Sequence, residues 1–165
     1  MASENYGEMN PVAKRSGELF GSGLYWAEAV LLAVAEKHSI QSDILPGIAS
    51  GFCGGMSRTA GLCGALVGGV MALGILNGRK SSEDSPKKIY GLTERMVRDF
   101  EKHFGSRNCS DILGCDISTR EGEAAFKANN LMKTVCLDAT VKATNLVMRV
   151  LENKDDIKHS MLEEK

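Results

Sequence analysis

Leu62-Cys63-Gly64-Ala65-Leu66-Val67-Gly68-Gly69-Val70-Met71-Ala72-Leu73-Gly74-Ile75-Leu76 is an unbroken apolar run of fifteen residues that carries four glycines. A membrane span needs roughly 20 such residues, so the run is too short to cross a bilayer and reads as a buried helix. Asn77-Gly78 closes it, a pair suited to a helix C-terminus. Gly64, Ala65, Gly68, Gly69 and Ala72 fall along one strip of that helix. Each glycine weakens a helix by up to ~1 kcal/mol relative to alanine, so a close helix contact has to offset several such losses. The Gly64-x-x-x-Gly68 spacing lets backbones approach closely. Two placements satisfy it: tight packing inside one subunit, or an interface in a homodimer.

Just before the run lies Gly51-Phe52-Cys53-Gly54-Gly55-Met56-Ser57-Arg58-Thr59-Ala60-Gly61, a glycine-rich turn. Cys53 sits on it, next to Gly54-Gly55, and is expected to be accessible and able to pair with Cys63. Cys63 stands where the helix begins, in the positive end of its dipole, which favours the thiolate. Thiolate is the form that binds metal, attacks disulfides and carries redox chemistry. The turn and the helix start together point to a cysteine-based site.

Outward from this centre the chain reads as helices. Asn10 caps a first helix, with Pro11 in its first turn, that runs to about Phe20 and breaks at Gly21-Ser22-Gly23. A second runs from about Leu24 to His38, with Trp26, Val30, Ala33 and Val34 on one face. A short helix near Pro46 covers about Asp43 to Ser50. Arg79 to Lys88 is polar and reads as the most flexible loop. An amphipathic helix over about Lys87–Phe104 turns Tyr90, Met96 or Val97, Phe100 and Phe104 inward and ends at Gly105. Cys109 to Cys115 forms a helical turn and loop. A last helix starts between Ala124 and Asn130 and runs to about Leu151, with Met132, Cys136, Ala139, Ala143, Leu146 and Val150 inward. No stretch alternates as a strand does, so the expected class is all-α: an N-terminal tail over 1–10, a single multi-helix domain over 11–151, and a charged tail over 152–165 that frays.

The chain has 165 residues and is 43% hydrophobic, enough for a core, with only 5% aromatics, so Leu, Val, Ala and Met must fill it. A net charge of −1 gives no electrostatic reason to expect nucleic acid or an anionic membrane as partner. The first twenty residues are polar and show no secretory signal, so the expectation is a cytoplasmic protein, where thiols stay reduced. Five cysteines, an odd number, cannot all pair within the chain. In a reducing compartment such a set reads as metal-binding or catalytic.

Cys63-Gly64-Ala65-Leu66-Val67-Gly68 matches C-G-A-x-x-G. Around it stand Leu19-Phe20 before a glycine break, Ala27-Glu28-Ala29-Val30, the Gly-Phe-x-Gly-Gly-Met turn, Met71-Ala72-Leu73-Gly74, and Phe100-x-x-x-Phe104-Gly105-x-x-x-Cys109. In this order the elements resemble the C_GCAxxG_C_C family of redox-active proteins, over roughly residues 11 to 151. The resemblance implies a helical protein with four characteristic cysteines, three of which map to Cys63, Cys109 and Cys136. The fourth is expected just before Ala27, where this chain has Trp26. Cys53 and Cys115 lie where the pattern requires no thiol, and Cys53 occupies what resembles a glycine position. A domain of the split-Soret cytochromes c is similar to this family and is associated with an iron–sulfur type centre, so the resemblance implies an iron–sulfur cluster. The haem-attachment signature C-x-x-C-H is missing, so haem is not implied.

The five-residue gap between Cys109 and Cys115 is wider than a zinc-knuckle spacing, although both thiols can reach one metal from a turn. Cys136 lies on an apolar stripe and by itself reads as a core residue. His38, His103 and His159 show no metal-ligand spacing, and no phosphate-binding glycine motif or Ser-His-Asp arrangement is present. Arg58 and the Lys14-Arg15 pair could bind a small anion, but scattered basic residues are normally solvated. The leading expectation is a small redox protein with an unknown redox partner. Its site is built from Cys63, Cys109 and Cys136, with Cys53 or Cys115 as a fourth member, and either holds an iron–sulfur cluster or other metal or cycles between dithiol and disulfide. The rival is a non-enzymatic helical binding or assembly module in which Trp26 marks a lost site.

Overall fold

The computed structural model describes residues 10–153, and helices joined by turns account for all of them apart from one isolated bridge between Leu62 and Asn108. The all-α class holds. Asn10 caps α1 (Pro11–Gly21) by accepting the Val12 N–H at 2.9 Å, and Gly23, at φ +112°, turns the chain into α2 (Trp26–Lys37). A turn containing a cis Leu45–Pro46 bond leads to a 3-10 helix (Gly47–Phe52), so the segment expected near Pro46 is present but tighter and later. Next come the short α3 (Cys53–Arg58), the central α4 (Gly64–Asn77), α5 (Lys87–Phe104), α6 (Cys109–Leu113), α7 (Arg120–Ala128), a π-helical turn (Met132–Cys136) and α8 (Leu137–Glu152). The charged stretch expected to fray lies, beyond Asn153, outside the described residues, as does His159.

Helix α4 is the centre: it packs on α2, α5 and α8, while α1 closes the α2–α8 side. The glycine strip explains how. A Cβ on Gly68 would stand 2.6 Å from the Ala27 carbonyl oxygen and 2.8 Å from Ala27 Cα, so α4 meets α2 backbone to backbone. One on Gly69 would meet Met96 Cε at 2.6 Å and Val147 Cγ2 at 3.1 Å, so the same strip admits α5 and α8. The strip is thus covered by the chain's own helices, and of the two placements open from sequence, packing inside one subunit is the one realised. No helix among the described residues is long and apolar enough to cross a membrane.

Two expectations need correction. Tyr90 is 68% exposed, while Leu92, Met96 and Phe100 are fully buried. The inward stripe of α5 runs at i, i+4, i+8 from Leu92, and Tyr90 lies about 200° away round the helix. The last helix is also two helices. Thr119 starts α7 early by accepting the Gly122 N–H at 3.0 Å, and Asn130, at φ +51°, stops it. Asparagine tolerates this left-handed conformation better than other residues with a Cβ, so the Asn129-Asn130 pair breaks a pattern whose apolar spacing runs straight through. The π turn then restarts the helix, and Cys136, Ala139, Ala143, Leu146 and Val150 are buried as expected, with Met132 half-buried.

Candidate functional site

The Leu62–Asn108 bridge brings two distant thiols together. The Cys63 N–H donates to the Arg107 carbonyl and the Cys109 N–H to the Gly61 carbonyl, both at 2.8 Å. Side chains alternate across such a bridge, so Leu62 and Asn108 face out, as their exposure shows, while Cys63 and Cys109 share the buried face. They stand there as diagonal neighbours, a relation that puts residues about 7–8 Å apart and somewhat less between Cβ atoms. Cys136 arrives from the end of the π turn. Cys63, Cys109 and Cys136 line one cavity of about 20 Å³, walled by Trp26, Gly54, Gly55 and apolar side chains such as Ile117 and Phe126.

Gly55 makes this approach possible. It sits at φ +67°, and a Cβ there would stand 2.5 Å from Cys109 Cβ and 3.1 Å from its sulfur. Gly54, Gly55, Met56, Ser57 and Arg58 all have φ between 56° and 67°, so the glycine-rich turn is a left-handed coil under the thiols. Left-handed backbone costs about 1–2 kcal/mol for each residue with a Cβ, and such strain persists only where the surroundings impose it.

The helix start at Cys63 works against a larger effect. Backbone N–H groups of Leu66 and Ala65 favour its thiolate, yet burial outweighs them and pushes its pKa up, contrary to the expected activated thiolate. Burial pushes Cys109 up to about 12, helped by the negative charge that Cys63, Cys115 and Asp116 would carry. Cys136 is also pushed up to about 12 by burial, although the Trp26 indole N–H opposes the shift. That N–H is buried with no partner in hydrogen-bond geometry, so it faces the Cys136 sulfur without closing a bond. Trp26 thus packs against the turn, 3.9 Å from where a Gly54 Cβ would be, as a wall of the thiol cavity. Among the described residues no three His, Cys, Asp or Glu side chains are drawn close enough to hold a metal ion as they stand.

The other two thiols do not line this cavity, although Cys53 interacts with Cys63 and its Cα packs against Gly64. Cys53 is buried, not accessible, because the 3-10 helix folds over it; its thiol donates to the Ala49 carbonyl at 3.7 Å. It opens on a neighbouring larger cleft and not on the cavity of the other three. Cys115 is half-buried and lines neither cavity, though Cys109 and Cys136 feel its charge. All five thiols are free. His38 caps the exposed end of α2, and His103 lies 4.0 Å from the Asp138 carboxylate, so both keep their expected surface and capping roles.

The sequence did not single out Glu28, which is buried beside the turn, accepts the Tyr25 N–H at 2.8 Å and accepts the Ser50 hydroxyl at 2.5 Å. Its place three residues after the residue preceding α2 was the signal that could have found it. Nor did it foresee that Arg58, at the end of α3, joins the i,i+4 pair Glu123 and Lys127 of α7 in an ion triad.

A family model described as "Putative redox-active protein (C_GCAxxG_C_C)" matches residues 24–150. No curated protein and no solved structure gives a match.

Proposed function

Because the chain belongs to the C_GCAxxG_C_C family, we propose that Cys63, Cys109 and Cys136 form one redox site, and that they act as thiolate ligands of a metal. The observation that carries this reading is the shared cavity: thiols from three distant segments meet against a wall of glycine, tryptophan and aliphatic carbon. Soft thiolates select iron, copper(I) or zinc, and electron transfer leaves iron or copper.

The space sets a limit. A cavity of about 20 Å³ takes one water-sized group. That is the size of a single ion, and the room favours one ion over a multi-iron cluster. For three sulfurs to share one ion at ~2.3 Å they must turn inward to within about 4 Å of one another. The fourth ligand would be Cys115, whose charge reaches Cys109 and Cys136, or Cys53, which interacts with Cys63 and whose Cα packs against Gly64. A bound iron ion would supply one-electron chemistry. The chain's part is to give up thiol protons on loading, so binding strengthens as pH rises. It also aims the Ala65, Leu66 and Trp26 N–H groups at sulfur, which tunes potential.

Loading the reduced protein with ferrous iron without oxygen, then measuring iron per chain and the visible spectrum, tests this. We expect bound iron with thiolate-to-iron absorption, lost in Cys63→Ser, Cys109→Ser and Cys136→Ser. Protein that takes up neither ferrous iron nor, in a parallel loading, copper(I) would overturn the metal reading. It would favour the second one, a helical binding module, which Trp26 supports by filling the wall where the family resemblance implies a thiol.

A further inference from the structure

Beside the thiol cavity lies a cleft of about 620 Å³ that shares Trp26, Gly54, Ile117 and Phe126 with it. Its volume is in the range of about 300–1,000 Å³ that holds small organic ligands. We propose that this cleft binds a planar aromatic molecule bearing one negatively charged group. The proposal does not rest on metal binding by the thiols.

Shape comes from the aromatic wall. Tyr25 stacks on Trp26 with ring centroids 5.1 Å apart and planes 17° from parallel, and Phe126 lines the same cleft. Tyr25 is 47% exposed, so its ring offers a face to a flat guest. Offset aromatic stacking adds about 0.5–1.5 kcal/mol to simple burial.

Charge comes from the triad at the cleft. Arg58 Nη1 reaches Glu123 Oε1 at 3.1 Å, and Lys127 Nζ reaches the same oxygen at 2.8 Å. Two cations therefore share one carboxylate, a surplus of one positive charge among the residues that line the cleft, with the buried Glu28 carboxylate lying behind Ser50. Of the neutral polar side chains that line it, Ser50 donates to Glu28 and Ser57 to the Gly51 carbonyl at 2.8 Å, which leaves the Tyr25 hydroxyl and the Asn130 amide. The groups that set the charge of a guest's polar end are the two exposed cations and the carboxylate they share, and their balance favours an anion. The strained left-handed coil ends at Arg58 and sets its backbone beside the cleft.

Flavin mononucleotide serves as probe, with riboflavin as the same ring system lacking the phosphate, each titrated into the full-length protein by calorimetry. Flavin mononucleotide should bind and riboflavin should bind at least about tenfold more weakly, the scale of charge-assisted contacts. Arg58→Gln/Lys127→Gln should bring the nucleotide down to riboflavin's affinity and leave riboflavin's unchanged, while Tyr25→Ala should weaken both. Equal affinity for the two probes, or no binding of either at about 1 mM, would overturn the proposal. So would displacement of the nucleotide by an equal concentration of inorganic phosphate, which would mark a bare anion site. If the double variant loses helicity, the two probes on the unaltered protein still decide it.

Discussion

Helix α4 touches two kinds of environment, one at each part of its length. Along its body, Gly68 and Gly69 press on α2, α5 and α8, every neighbour is a regular helix, and the glycines do no more than remove bulk. At its start, the local rules fail together. Residues with side chains adopt positive φ, a π turn interrupts a helix, an indole N–H has no partner, and thiols are buried at the cost of their ionised form. Both regions use glycine and small residues. Only the second combines them with strain and with groups that can do chemistry, and such concentration is expected where function overrides foldability.

The comparison breaks most sharply at Gly68. Gly68→Leu puts side-chain atoms into the Ala27 backbone, which cannot move aside as a side chain can. We expect a loss of about 3 kcal/mol or more, the upper end for overpacking, read as urea-midpoint and melting shifts. Unchanged melting would show that α2 and α4 are farther apart than described here. Gly55→Ala tests the other region. It combines a φ of +67° with a 2.5 Å approach to Cys109 Cβ. A loss of about 2 kcal/mol is expected, together with faster alkylation of Cys109 as it is forced from the cavity. A stable variant with a still-protected Cys109 would mean the turn does not hold that thiol.

The dryness of the cavity can be read by titration. In metal-free protein, alkylation of Cys109 and Cys136 should be slow at pH 8.5 and keep rising toward pH 12, because only thiolate reacts and burial holds their pKa at about 12. Their ordinary value is 9.0, so the folded state keeps protons that the unfolded chain loses. The resulting stabilisation is full below pH 9 and is lost as pH rises through about 12. Fast alkylation at pH 8.5 would show an open site. The smallest change is Trp26→Phe, which keeps most of the ring and deletes the unpaired N–H. Because that group gains no hydrogen bond, stability should move by less than about 1 kcal/mol, measured by urea midpoint. A large loss would show that the N–H is bonded to Cys136 sulfur after all.

Much of this molecule was determined by sequence alone. Helix periods, the Asn10 cap, the glycine strip and the Gly105 stop are local patterns, and they gave the all-α class and most helix positions. Cys63, Cys109 and Cys136, which line one cavity, were named from the family resemblance, since C-G-A-x-x-G and its companions are strings. What only the tertiary structure decided is everything that depends on a neighbour far along the chain. Tyr90 faces out because Leu92, and not Tyr90, meets the other helices. Cys53 is buried because its thiol turns back on the Ala49 carbonyl of the 3-10 helix. Cys63 and Cys109 meet through a bridge of a single residue pair, too short to leave an alternating pattern. The thiols are held protonated because desolvation, which no helix start announces, exceeds the pull of backbone N–H groups. Local geometry is written in neighbouring residues, whereas burial and its electrostatic cost belong to the assembled fold.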